Sequence, residues 1–129
     1  LARRIPMAPE VQDWIVRIVL ATHPDGEFCA DDNRRLIRIG ASPRAAQAIA
    51  TCARVVALMA GRYAVSFADA RKVARAALRH RIQRSFEAES EGLSCDEIAR
   101  RVIAQTPTEL VAATHAAKAT TDKSARASA

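Results

Sequence analysis

The chain is short of the residues that punctuate or staple a fold. Its 129 residues include five prolines, four glycines, three cysteines, three phenylalanines, one tyrosine and one tryptophan. So few prolines and glycines leave little material for tight turns and ample room for long helices. Cys29, Cys52 and Cys95 are odd in number and lack C-x-x-C spacing. That argues against a disulfide framework or a zinc site, and for reduced thiols in a cytoplasmic protein. The longest apolar run is broken by Arg17 and is too short to cross a bilayer, so no membrane association is expected. No secretory signal stands at the start, and no internal repeat is visible. The catalytic loops are missing as well. There is no G-x-x-x-x-G-K-[ST] phosphate loop, no G-x-S-x-G, no H-E-x-x-H and no EF-hand loop. Asp31–Asp32 and the Glu87, Glu89, Glu91 series read as solvated acids. The chain by itself is therefore not expected to be a complete enzyme, and its opening at Leu1 reads as a piece of a longer protein.

What is present favours helix. Hydrophobic residues make up 50%, dominated by alanine, and such residues lose little side-chain entropy in a helix. Residues 1–8 read as an extended entry segment. Pro9 opens a helix to about Thr22, with Val11, Trp14, Ile15, Ile18 and Val19 at the spacing of one buried face and Trp14 as a core anchor. His23-Pro24-Asp25-Gly26 stops it and starts a loop to about Asn33, with His23 as a surface or C-capping residue. Leu36, Ile37 and Ile39 then return the chain to the core. A second long helix runs from Pro43 to about Ala60, closed by Gly61, with Ile49, Ala53, Val56 and Ala60 on one side. Ser66 and Asp69 cap a third helix whose stripe is Ala70, Val73, Ala74, Ala77 and Leu78. The 82–91 stretch suits an extended strap, although Ile82 and Phe86 also fit one helix face. Ser94 and Glu97 box the start of a fourth helix to about Gln105, burying Ile98, Val102 and Ile103. Thr106–Glu109 is another candidate helix start, and the chain beyond Thr114 reads as a flexible tail.

Twenty Lys and Arg against fourteen Asp and Glu give a net charge of +6, so the surface should attract anions. Two places stand out. Gly40-Ala41-Ser42-Pro43-Arg44 joins a good N-cap, Ser42, to a proline suited to the first helical position and an arginine in the first turn. A cation there adds to the positive end of the helix dipole, which is unfavourable unless an anion arrives. The stretch reads either as an anion sensor, with phosphate the natural ligand and Gln47 one turn on as a second contact, or as a capped helix with a solvated arginine. The other place is the basic series Arg71, Lys72, Arg75, Arg79, His80, Arg81 and Arg84. A nucleic-acid surface would need aromatic stacking platforms for single strands, and the aromatics are too few and scattered. Nucleic acid is therefore disfavoured, and Arg79 and Arg81 are expected to pair with Glu87 or Glu89. A basic helical nucleic-acid-binding domain or a protein-interaction module remains the alternative reading.

The succession R-L-I-R-I-G-A-S-P-R-A-A, A-L-M-A-G-R, V-S-F-A-D-A-R-K-V-A, L-R-H-R-I and S-F-E-A-E-S-E-G resembles the C-terminal lid domain of MoxR-type AAA+ ATPases. The likeness covers roughly residues 8–107, with G-A-S-P-R-A and the later L-R-H-R its most specific part. Arg84 and the tail after Pro107 look peculiar to this chain. The resemblance implies an all-α fold, a small helical bundle with about four main helices and irregular connectors. It implies residues 1–8 as a linker from an absent ATPase core, 9–107 as the lid and 108–129 as a C-terminal extension. It implies that Arg44 is the sensor-2 arginine reaching the γ-phosphate of ATP, with Ser42 and Gln47 in support. ATP and Mg2+ are the implied cofactors of the full-length ATPase, with none expected on the fragment, and no metal or catalytic residue is expected here. The implied partners are the N-terminal AAA+ core of the same chain, neighbouring subunits of a hexameric ring, a von Willebrand factor A-domain protein and a client enzyme, the role being chaperone-like. Arg79, His80 and Arg81 match a further family stretch and stand as an anion or interface cluster.

Overall fold

Capping residues and apolar stripes divide residues 4–108, which the computed structural model describes, into six helices and one pair of short strands. In order these are α1 (Pro9–Leu20), α2 (Asp31–Arg34), β1 (Ile37–Ile39), α3 (Pro43–Met59), α4 (Phe67–Arg79), β2 (Gln83–Arg84), α5 (Phe86–Ser90) and α6 (Cys95–Gln105). The four long helices are those expected, and the fold is a mostly helical small bundle. Two short helices and a two-stranded antiparallel ribbon occupy what reads in the sequence as loop and strap. Thr106 is the C-cap of α6, and the helix start expected over 106–109, like the expected tail, runs outside the described residues.

The centre is a stack of α3 on α4, with α6 on the far side of α4 and α1 against α3. Small side chains make this stack: Ala45, Ile49, Ala53 and Ala57 of α3 and Ala70, Ala74 and Leu78 of α4 are buried. The buried row of α3 keeps a four-residue step to Ala57 rather than turning to Val56 and Ala60, so Ala60 is exposed at the cap. Such i±4 rows are the ridges that helices interlock. Gly61 adopts φ 74° beyond that cap, which lets the Arg62 N–H reach the Ala57 carbonyl (2.9 Å) and the Gly61 N–H reach Leu58 (3.0 Å), a complete C-terminal capping motif.

Trp14 joins three helices. It is fully buried, its Nε1 donates to the Thr106 carbonyl at 3.0 Å past the end of α6, and Phe67 of α4 meets its ring edge-on at 6.0 Å. Residues 4–8 are tied to the bundle rather than trailing from it. Ile5 and Met7 are buried, Met7 bridges Val65 in parallel, and Arg54 donates to the Ile5 carbonyl.

Three local expectations are corrected. Ile39 does not return to the core but is 49% exposed, because the pairing slips between Ile37 (opposite Arg84) and Ile39 (opposite Gln83) and the irregularity breaks the in–out alternation. Phe86 does not share a face with Ile82: Ser85 caps α5 by accepting from the Ala88 N–H, which turns Phe86 to solvent and Ala88 inward. Glu87 and Glu89 do not hold Arg79 and Arg81. Glu87 lies 3.7 Å from Arg35 and Glu89 3.7 Å from Arg84, while Arg79 shares Asp96 with Arg75 and Arg81 donates to the Ala77 carbonyl.

The start of α4 holds a dense polar cluster. Ser66 and Asp69 form a reciprocal capping box, and Arg62 clasps Asp69 with Nη1 on Oδ2 (2.9 Å) and Nη2 on Oδ1 (2.5 Å). Asp69 is only 2% exposed. Burial alone would raise its carboxyl, but hydrogen bonds from the Ser66 N–H, the Arg62 guanidinium and the Ser66 hydroxyl outweigh that and hold it below its ordinary 3.8. A carboxyl depressed by folding stabilises the fold above its unfolded value and loses that contribution as pH falls through the folded value. Asp69→Asn is expected to lower stability at pH 7 by about 2 kcal/mol, since it weakens both the cap and the clasp on a half-exposed arginine. The gap between variant and parent melting curves should shrink as pH drops below about 4.

Candidate functional site at the entry to α3

The polypeptide reaches α3 through a clamp built on the end of α1. Ala21 closes α1, and the Thr22 hydroxyl donates to the Val19 carbonyl at 2.6 Å. The same oxygen accepts the Ala41 N–H at 2.9 Å, and both Thr22 and Ala41 are fully buried. His23 Nε2 lies 2.7 Å from the Ala41 carbonyl. A carbonyl only accepts, so Nε2 carries the proton and donates. Between them, Gly40 passes so close that a Cβ would sit 2.5 Å from the Thr22 carbonyl oxygen, inside any real contact. Glycine is needed here because two backbones touch. His23 thus has a definite task, as a strut between the end of α1 and the approach to α3, rather than as a loose surface residue or a helix cap.

Immediately after the clamp, Ser42 takes the N-cap position in extended conformation, Pro43 is the first helical residue and Arg44 the second. Ser42 differs from the expected cap in one respect: its side chain accepts no hydrogen bond from the first turn, so the hydroxyl is unengaged among the described residues. Every other helix described carries an acid in its first turn, whereas α3 has none and carries Arg44. Arg44 is exposed, and among the described residues nothing hydrogen-bonds or ion-pairs with it. Gln47 is exposed one turn further on. An apolar hollow of about 310 Å³ adjoins this turn, lined by Val16, Val19, Leu20, His23, Pro43 and Ala46. The structure therefore brings Ser42, Arg44 and Gln47 together on one accessible helix start.

Arg79, His80 and Arg81 lie at the opposite end of a helix, at the C-terminus of α4, all exposed. Arg79 reaches Asp96 at 3.8 Å and donates through Nε to His80 Nε2, and Arg81 is turned back onto α4. Through β2 this segment feeds the strand that pairs with β1, so Gln83 stands opposite Ile39, three residues before Ser42. Sequence reasoning missed Thr22 and His23, which hold the site without lying in it. A histidine and a threonine at a helix end carry no local mark of a partner about nineteen residues away.

The family model for the AAA lid domain matches residues 29–106, which spans α2 to the end of α6. The chain belongs to the AAA lid domain family. Over 91 residues this lid is 34% identical to the chaperone MoxR1 of Mycobacterium tuberculosis, covering 70% of the chain and 24% of that protein. The crystal structure of a candidate ATPase from Cytophaga hutchinsonii superposes with a TM-score of 0.77 at 28% identity, covering 82% of this chain and 32% of that one. The lid thus spans a quarter to a third of the length of these relatives.

The clamp makes a direct prediction. Gly40→Ala should lower stability by about 1–3 kcal/mol by overpacking against Thr22. Thr22→Val should cost about 1–3 kcal/mol by leaving the buried Ala41 N–H without an acceptor. Because both changes strike one contact, urea denaturation of the double variant should show a loss smaller than the sum.

Proposed function

We propose that this lid serves an ATP-hydrolysing AAA+ machine, with Arg44 as the sensor-2 arginine that meets the γ-phosphate of ATP held by an N-terminal core of the same chain. The observation that carries the reading is an unpartnered guanidinium in a first turn empty of acids, set at a fixed place by the Thr22–Gly40–Ala41 clamp. The residues fit a phosphate: a free cation, an unengaged Ser42 hydroxyl and a helix start whose dipole favours negative charge. They do not fit Mg2+, since no group of three or more His, Cys, Asp or Glu among the described residues could hold a metal ion. Mg2+ would be held by the core.

ATP supplies the phosphoryl group that passes to water. Arg44 stabilises the negative charge that builds on that group, as positioned cations do in phosphoryl transfer. Because it can do so only when the lid lies over the nucleotide, the same contact favours closure of lid on core. Gln47 offers a neutral second contact, and the hollow beside Pro43 accepts an apolar surface of the core. Residues 1–8 are then the connection from the core, 9–107 the lid and 108–129 an extension. The full protein works in the cytoplasm as a hexameric ring, with a von Willebrand factor A-domain partner and a client enzyme. The relation to the chaperone MoxR1 supports a chaperone-like role.

Arg44→Ala in the full-length ATPase should reduce turnover about a hundredfold or more, the effect of removing one transition-state charge donor. Thermal unfolding of the lid should be unchanged, because Arg44 is exposed and makes no hydrogen bond or ion pair among the described residues. Unaltered turnover and nucleotide affinity in that variant would reject the assignment. The 129-residue chain alone should bind ATP only weakly by calorimetry, and tight binding would equally reject it.

A further inference from the structure

A second surface, away from the entry to α3, combines unneutralised charge with apolar ground. Two hollows meet at Lys72 of α4. The first, about 510 Å³, lies between α4 and α6, with Arg71, Lys72, Arg75 and Arg100 around Ile103 and Ala104. The second, about 480 Å³, lies between the end of α3 and the start of α4, where Val56, Met59, Ala60 and Ala68 provide apolar walls. Met59 is 83% exposed, an adaptable thioether with no burial within the domain.

The cations here outnumber their partners. Arg75 and Arg79 share the single carboxylate of Asp96, and Arg100 and Arg101 share that of Glu97. Arg71 and Lys72 meet no carboxylate among the described residues. Arg71 is nonetheless held in place, its guanidinium 5.6 Å from the centroid of the Trp14 ring, so it presents a pre-positioned charge. No aromatic side chain lines either hollow, and Trp14 is fully buried under Arg71, so there is no platform for stacking bases. Apolar walls beside the cations suit side chains, not a sugar–phosphate backbone.

We propose that this trough docks an acidic amphipathic segment of a partner protein, its carboxylates on Arg71 and Lys72 and an apolar residue on Met59 and its neighbours. The inference rests on charge and shape at α3, α4 and α6, and does not depend on the reading of Arg44. The test uses the 129-residue chain and three fluorescent probes of equal charge: a helical peptide repeating Glu and Leu, an oligo-glutamate, and a short DNA duplex. The peptide should bind saturably, more weakly as salt rises, and at least about fivefold more tightly than the other two. Lys72→Glu and Met59→Asp should each weaken peptide binding at least about fivefold without shifting the melting temperature, because both side chains are exposed and free of structural partners. The control Arg38→Glu, an equal charge reversal on exposed β1, should change it less than about twofold. The proposal is overturned by equal binding of oligo-glutamate or DNA, by no saturable peptide binding up to about millimolar concentration, or by Lys72→Glu and Met59→Asp affinities equal to that of the parent.

Discussion

The geometry of this lid hangs on the near-contact of two backbones, Gly40 against Thr22. That approach brings the Ala41 N–H onto the Thr22 hydroxyl and the Ala41 carbonyl onto His23. A side chain at position 40 would push these groups apart and leave buried polar atoms without partners, a loss that adds to the van der Waals misfit. With the contact made, the last turn of α1 and the first turn of α3 become one rigid corner. The direction of α3, and through it the stack on α4, follows from that corner.

The same corner explains how an electrostatically awkward arrangement survives. A helix start with a cation and no acid gives up the modest stabilisation that the other helices gain from their first-turn carboxylates. The deficit is a few tenths of a kcal/mol at an exposed site and is easily offset by the buried hydrogen bonds behind it. The exposed trough on α4 follows the same logic, with cations grouped beyond what their own domain can neutralise.

Much of this could be read from residue order, because it depends on neighbours along the chain. The buried face of α1, the Gly61 stop and the Ser66–Asp69 box are all local, and the structure has them as expected. The place of Arg44 in the first turn of α3 was legible because capping patterns are local too. What could not be read depends on distant pairing. The slip between β1 and β2 that turns Ile39 outward, the sharing of Asp96 by Arg75 and Arg79, and the Arg62–Asp69 clasp all need the fold first. Thr22 and His23 belong with these, since their hydrogen-bonding partners lie about nineteen residues on and no period links them.

Trp14 carries a practical consequence. It is the sole tryptophan of the chain, sealed from water, edge-on to Phe67, hydrogen-bonded past the end of α6 and roofed by Arg71. Its emission therefore comes from one place where α1, α4 and α6 converge, and the cation above the ring lies on the rim of the α4 trough. The lid contains its own optical gauge of core integrity, one that needs no added dye.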